Sequence, residues 1–119
     1  MHIQADNSMA MVLSLQPFLQ PYVVNLVNAV RQEGIPLMVL SGRRNANVNA
    51  EVGGAERSLH LYGLAFDLQV EGYRRDEVHP YFWQYLGEWW ESVGGRWGGR
   101  FSAPDVNHFD VGVAAVVPR

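Results

Sequence analysis

Two stretches of the chain carry residues able to do metal chemistry. In Ser58-Leu-His60-Leu-Tyr-Gly63-Leu-Ala65-Phe-Asp67 an imidazole precedes a carboxylate, with a glycine between them. In Asp105-Val-Asn-His108-Phe-Asp110 a second imidazole follows one carboxylate and precedes another. Catalytic zinc takes three protein ligands, usually imidazole nitrogen and carboxylate oxygen, and leaves its fourth position to water. His60, Asp67 and His108 are therefore candidate ligands for one Zn2+ with its bound water. Asp105 is the candidate acid/base. Zinc lowers the pKa of bound water toward about 7, so a nearby carboxylate can take the proton and return it to a leaving amine. Asp110 is a rival that could instead orient the His108 ring, and Glu88 and Glu91 are rivals better read as the wet face of a helix. The plain alternative is two solvated histidines and a surface aspartate.

These residues need elements to aim them. Leu64-Ala-Phe-Asp-Leu-Gln-Val70 alternates, which predicts a strand with Leu64, Phe66, Leu68 and Val70 toward the core and Ala65, Asp67 and Gln69 on the other face. His108-Phe-Asp-Val-Gly-Val113 alternates too, with His108 and Asp110 on one face and Phe109 and Val111 on the other. Two such strands side by side would point Asp67 and His108 at one place, while Gly63 lets the preceding loop bring in His60. Ile35–Ser41 reads as a short buried strand running into the turn Ser41-Gly-Arg-Arg44. Val23, Leu26, Val27 and Val30 recur at helical spacing and predict a helix over about 21–33 with Gly34 as its stop. A second helix is expected over about 78–93, with Pro80 in its first turn and Phe82, Leu86, Trp89 and Val93 as its buried stripe. Its further aromatics could line a groove, although helical spacing favours a core role. Residues 1–16 read as an irregular lead-in, and 45–51 as a short helix or turn ended by Gly53-Gly54. The mixture is α+β in one domain spanning 1–119.

Composition agrees. With 119 residues, 48% hydrophobic and 18% charged, the chain suits a single soluble globular domain. All nine basic residues are arginine, the formal charge is −3, and no basic run exists, so nucleic acid is not an expected partner. The absence of cysteine excludes thiol catalysis and leaves zinc to His and carboxylate. No apolar stretch approaches the roughly 20 residues of a membrane span. No positive charge precedes the short apolar run Met9–Leu15, so no secretory signal is expected.

The pattern Ser58-x-His60-x-x-Gly63-x-Ala65-x-Asp67 resembles the signature of the zinc D-Ala-D-Ala carboxypeptidase and L-alanyl-D-glutamate endopeptidase family. Ser41-Gly-Arg-Arg44 is similar to that family's Ser-Gly-x-Arg turn, and Asn49 with Val52-Gly-Gly54 sits where relatives carry like residues. Trp97-Gly-Gly99 followed by Asp105-x-x-His108-Phe resembles its phage endolysin branch. The likeness covers about residues 35–112. It implies a small antiparallel sheet carrying the zinc site, flanked by two main helices, as in D,D-peptidases and hedgehog domains. Carried over by position, it implies His60, Asp67 and His108 as metal ligands, Asp105 as acid/base and Arg44 as substrate anchor. Where this chain has Arg43 relatives carry an aromatic, so either arginine could point inward. Ser58 could touch substrate or cap the loop. The expected activity is cleavage of peptidoglycan stem peptides in the cell wall or periplasm by a monomer, as an L-alanyl-D-glutamate endopeptidase. The alternatives are a D,D-carboxypeptidase or dipeptidase of the family, or a non-catalytic zinc-binding module of the same fold.

Overall fold

The computed structural model describes residues 6–45 and 58–112. The elements run α1 (Ser8–Leu13), α2 (Gln20–Gln32), β1 (Leu37–Ser41), a 3-10 turn (Leu59–Tyr62), β2 (Ala65–Val70), a second 3-10 turn (Arg75–Glu77) and α3 (Pro80–Ser92). Then come β3 (Arg96–Trp97), a third 3-10 turn (Gly98–Arg100) and β4 (His108–Asp110). The four strands form one sheet in the order β1-β2-β4-β3, every neighbour antiparallel. This is the α+β architecture expected from the alternating strands and the helical stripe.

The core forms where the apolar faces meet. Val23, Leu26, Val27 and Val30 of α2 are all buried, as their spacing requires, against Leu37 and Val39 of β1 and Phe66 and Leu68 of β2. Phe66 stacks on Phe109 across the β2–β4 pair and meets the edge of Trp90 at 5.0 Å. In α3 the buried stripe is Trp83, Leu86, Gly87 and Trp90, which corrects the expected one. Leu86 is shared, but Phe82 and Trp89 are only partly buried and Val93 is exposed. The larger indoles take the inner face because each finds a carbonyl there for its N–H: Arg75 O for Trp83 and Asp110 O for Trp90. Trp97 does the same with Val106 O. Three of the four tryptophans are thus core, while Tyr62, Tyr73, Tyr81 and Tyr85 are exposed.

A second correction concerns the lead-in, which holds the helix α1. Its sequence has no periodic stripe long enough to announce it, and six residues are too few for a helix on propensity alone. Docking supplies the stability. Ser8 Oγ accepts the outward N–H of Val39 at 2.9 Å, and Arg31 Nε donates to Leu37 O at 2.8 Å, so the free edge of β1 is covered. Ser14 Oγ accepts from Arg43 N–H at 2.9 Å, and Gln16 N–H donates to Gly63 O at 2.9 Å. The lead-in therefore clamps both segments that approach the candidate site. Beyond Asn45, the expected turn over 45–51 lies outside the described residues, as do the Asn49 and Gly53-Gly54 blocks and Val113.

Ser8→Ala leaves the buried Val39 N–H without a partner and is expected to destabilise the fold by about 1–3 kcal/mol. Urea denaturation measures this; an unchanged midpoint would show that α1 is not fastened through Ser8.

Candidate metal centre

The sheet brings the expected residues into one row. Ser41 of β1 pairs with Asp67 of β2, and Asp67 pairs with His108 of β4. A bulge between Val39 and Ser41 makes this possible. It swings Leu40 outward and puts the small Ser41 opposite Asp67, where unbroken alternation would have placed Leu40. His60 arrives from the 3-10 turn just before β2. Ser58 Oγ accepts from His60 N–H at 3.2 Å, capping that turn, and Gly63 ends it in the left-handed region at φ 69°. Ser58 thus caps the turn, one of its two expected roles.

One donor atom each of His60, Asp67 and His108 lies within 4.8 Å of the others. His60 Nε2 is 3.5 Å from Asp67 Oδ2, and His108 Nδ1 is 3.4 Å from Asp67 Oδ1. Donors placed 2.0–2.1 Å from a tetrahedral zinc stand roughly 3.3–3.4 Å apart, so the spacing fits that ion. The far nitrogen of each ring is also engaged. His60 Nδ1 donates to the carbonyl of Gly42 at 2.8 Å; a carbonyl only accepts, so the proton sits on Nδ1 and the lone pair on Nε2 faces inward. His108 Nε2 meets Asp110 Oδ2 at 2.7 Å, which leaves Nδ1 facing Asp67. Outer acceptors of this kind orient ligand imidazoles and raise their basicity.

Electrostatics hold the group together. Burial alone would raise the Asp67 pKa, but hydrogen bonds with His108, His60 and Ser41 outweigh it and hold the carboxyl well below its ordinary range. Ser41 Oγ donates to it at 2.6 Å and Arg44 Nη2 at 2.8 Å. For His108, burial pulls the pKa down, yet its bonds to Asp110 and Asp67 win and push it up to about 9. Asp110 is fully buried; burial works against its charge, but His108, Arg96 and the Gly112 N–H stabilise the carboxylate. Arg96 grips it with two hydrogen bonds of 2.8 Å.

The remaining expectations divide. Arg44 points inward onto Asp67 and Ser41, while Arg43 is exposed. Asp105 stands outside the three-residue group, on the loop leading into β4, with its carboxylate on Arg75 at 2.6 Å. Asp110 has the orienting place its shared face with His108 suggested. Glu91 pairs with Arg100 and Glu88 with Gln84, away from the group. Ser41, Arg96, Arg75 and the Gly42 carbonyl were not apparent as site residues. Ser41 and Arg96 come into play only through cross-strand register, which a single strand's alternation does not reveal.

The sequence model for peptidase M15 matches residues 3–86, well over half the chain, and the chain belongs to the M15 peptidase family. It is accordingly a zinc-dependent peptidase. The matched stretch includes His60 and Asp67 and ends before Asp105 and His108. Among solved structures the chain is similar to the L-Ala D-Glu endopeptidase ChiX of Serratia marcescens, with a TM-score of 0.64 and 20% identity over 92% of this chain and 89% of that one. It is also similar to the vancomycin-resistance D,D-pentapeptidase VanY from a VanB-type cassette, an E175A mutant in complex with Zn(II). There the TM-score is 0.58 and the identity 20%, over 85% and 75% of the two chains. VanYB in complex with D-alanine-D-alanine gives 0.58 and 19%, over 85% and 74%. No curated protein sequence matches at a significant level.

Two pH profiles are expected. Below pH 9 zinc must displace a proton from His108, so its apparent affinity should rise about tenfold per pH unit from 7 to 8 and level off near 9. In the metal-free protein the raised His108 pKa contributes stability that is complete below about 6.5 and fades as pH climbs to about 9. Calorimetric zinc titration and melting across that range measure both; flat profiles would refute the His108 environment. Asp110→Asn, which removes the charge behind His108, should weaken zinc binding about 10–100-fold.

Proposed function

We propose that this M15 peptidase hydrolyses an amide bond in peptidoglycan stem peptides, as an L-alanyl-D-glutamate endopeptidase, with zinc held by His60, Asp67 and His108. The observation that carries the metal assignment is the orientation of the two rings. Each has its outer nitrogen committed to an acceptor and its inner nitrogen turned toward Asp67. All three donors lie on one chain, so holding the ion in this way needs no residue of a partner subunit, and the protein is proposed to act as a monomer.

Bound zinc would polarise the scissile carbonyl and make water acidic enough to attack at neutral pH. The protein's own groups do the rest. Asp105, three residues before His108, accepts the proton of the attacking water and gives it to the departing amine. Arg44, on the rim of the group, is the guanidinium we assign to the substrate's carbonyl or carboxylate oxygen. Hydrogen bonds from Ser41 and Arg44 fix the Asp67 carboxylate in place, so it is assigned as a ligand and not the base.

The choice of scissile bond is supported by two features. The endopeptidase ChiX matches this chain almost end to end in both directions. The Trp97-Gly-Gly99 and Asp105-x-x-His108 blocks also resemble the endolysin branch. The second reading, a D,D-carboxypeptidase, is favoured by the likeness to VanY and by the Arg44 guanidinium, which suits a terminal carboxylate.

Digestion of purified peptidoglycan followed by mass spectrometry decides between them. The endopeptidase reading predicts new amino termini on D-Glu; released D-Ala would establish the carboxypeptidase instead. Asp105→Ala should keep stoichiometric zinc and lose hydrolysis by at least about 100-fold. Full activity in that variant would remove Asp105 from the mechanism.

A further inference from the structure

We propose that Arg75 is a positioning residue of this peptidase, holding the Asp105 carboxylate where it exchanges protons with the reacting groups. The inference rests on the assignment of Asp105 as acid/base. It arises from a mismatch between how the Asp105 backbone and side chain are held. The backbone is fixed on both sides: Asp105 N–H donates to Gly98 O at 2.9 Å, and Asp105 O accepts from His108 N–H at 3.1 Å. A side chain at Gly98 would collide with that same Asp105 oxygen, so the approach depends on glycine. The carboxylate is otherwise loose. It is 41% exposed and would be free to change rotamer.

Arg75 removes that freedom. Its Nη1 donates to Asp105 Oδ1 at 2.6 Å and to Asn107 Oδ1 at 3.3 Å. Asn107 is nearly buried and is itself bound twice to Leu68, the neighbour of Asp67 on β2. Its Nδ2 donates to Leu68 O at 3.1 Å, and its carbonyl accepts from Leu68 N–H at 2.9 Å. The other end of Arg75 is anchored as well, because its carbonyl accepts from the indole N–H of buried Trp83 at 2.9 Å. A continuous set of contacts thus refers the acid/base to the same strand that carries Asp67. Arg75 and Asp105 are 58% and 41% exposed, and an ion pair that open contributes little to folding. Its consequence is orientation: a displacement of about 1 Å at a reacting group can cost about 100-fold in rate.

The test uses the zinc-loaded enzyme. Arg75→Ala should lower kcat about 10–100-fold with KM, zinc stoichiometry and melting temperature nearly unchanged, and added guanidinium should restore part of the rate. Arg75→Lys should recover only partly, since an ammonium cannot reproduce the planar fork. Arg74→Ala, which removes a neighbouring like charge, should leave kcat as it was. In Asp105→Ala, adding Arg75→Ala should cost nothing further. An unchanged kcat in Arg75→Ala, with Asp105→Ala inactive, overturns the role of Arg75 alone. A rise in KM in place of the fall in kcat also overturns it, making Arg75 a substrate contact. Full activity in Asp105→Ala overturns both assignments together.

Discussion

The structure turns on one buried charge. Asp67 stands on β2, a central strand of the sheet, and an ionised carboxylate there is tolerable only when fully paired. Everything nearby can be read as meeting that demand. Ser41 reaches it because β1 bulges, Arg44 because the following turn folds back, His60 because a capped 3-10 turn ends at Gly63, and His108 because β4 lies in register. The same convergence that keeps the carboxylate charged produces a set of nitrogen and oxygen donors spaced for zinc.

The opposite face of the same strands explains why this arrangement is stable. Phe66 and Leu68 flank Asp67 in sequence and point into the core with Phe109, Trp90 and the α2 stripe. A shift of register by one residue would bury Asp67 among them and expose two large apolar side chains, so packing enforces the alignment that the site requires. Asp110 extends the logic to β3. It sits opposite Ala65 on one side and Arg96 on the other, and the small alanine leaves the room in which the His108–Asp110–Arg96 chain forms.

Much of this was legible in the amino-acid sequence, and what was not has a physical reason. Alternation placed Asp67 and His108 opposite Phe66 and Phe109, because period two is a local property of a strand. The α2 stripe was readable for the same reason. The α3 stripe was misjudged because an aromatic helix offers several apolar faces, and the choice among them depends on distant carbonyls that accept the indole N–H groups. Helix α1 was invisible because its stability comes from Val39 and Gly63, far along the chain. Ser41, Arg96 and Arg75 acquire meaning only from cross-strand register, a bulge or a loop contact. The resemblance of residues 58–67 to a peptidase signature points to His60 and Asp67 and that of the Asp105-x-x-His108 block to His108; of the groups that orient the ligands, only Asp110 is legible, from the face it shares with His108.

The central claim is that one zinc ion sits between His60, Asp67 and His108, with each ring presenting the nitrogen that its outer partner leaves free. Anomalous diffraction at the zinc edge from crystals of the zinc-loaded protein tests it most directly. The account predicts a single peak about 2.0–2.2 Å from His60 Nε2, an Asp67 oxygen and His108 Nδ1, with Gly42 and Asp110 still on the outer nitrogens. A peak elsewhere, or one ligated by His108 Nε2 with Asp110 displaced, would contradict it.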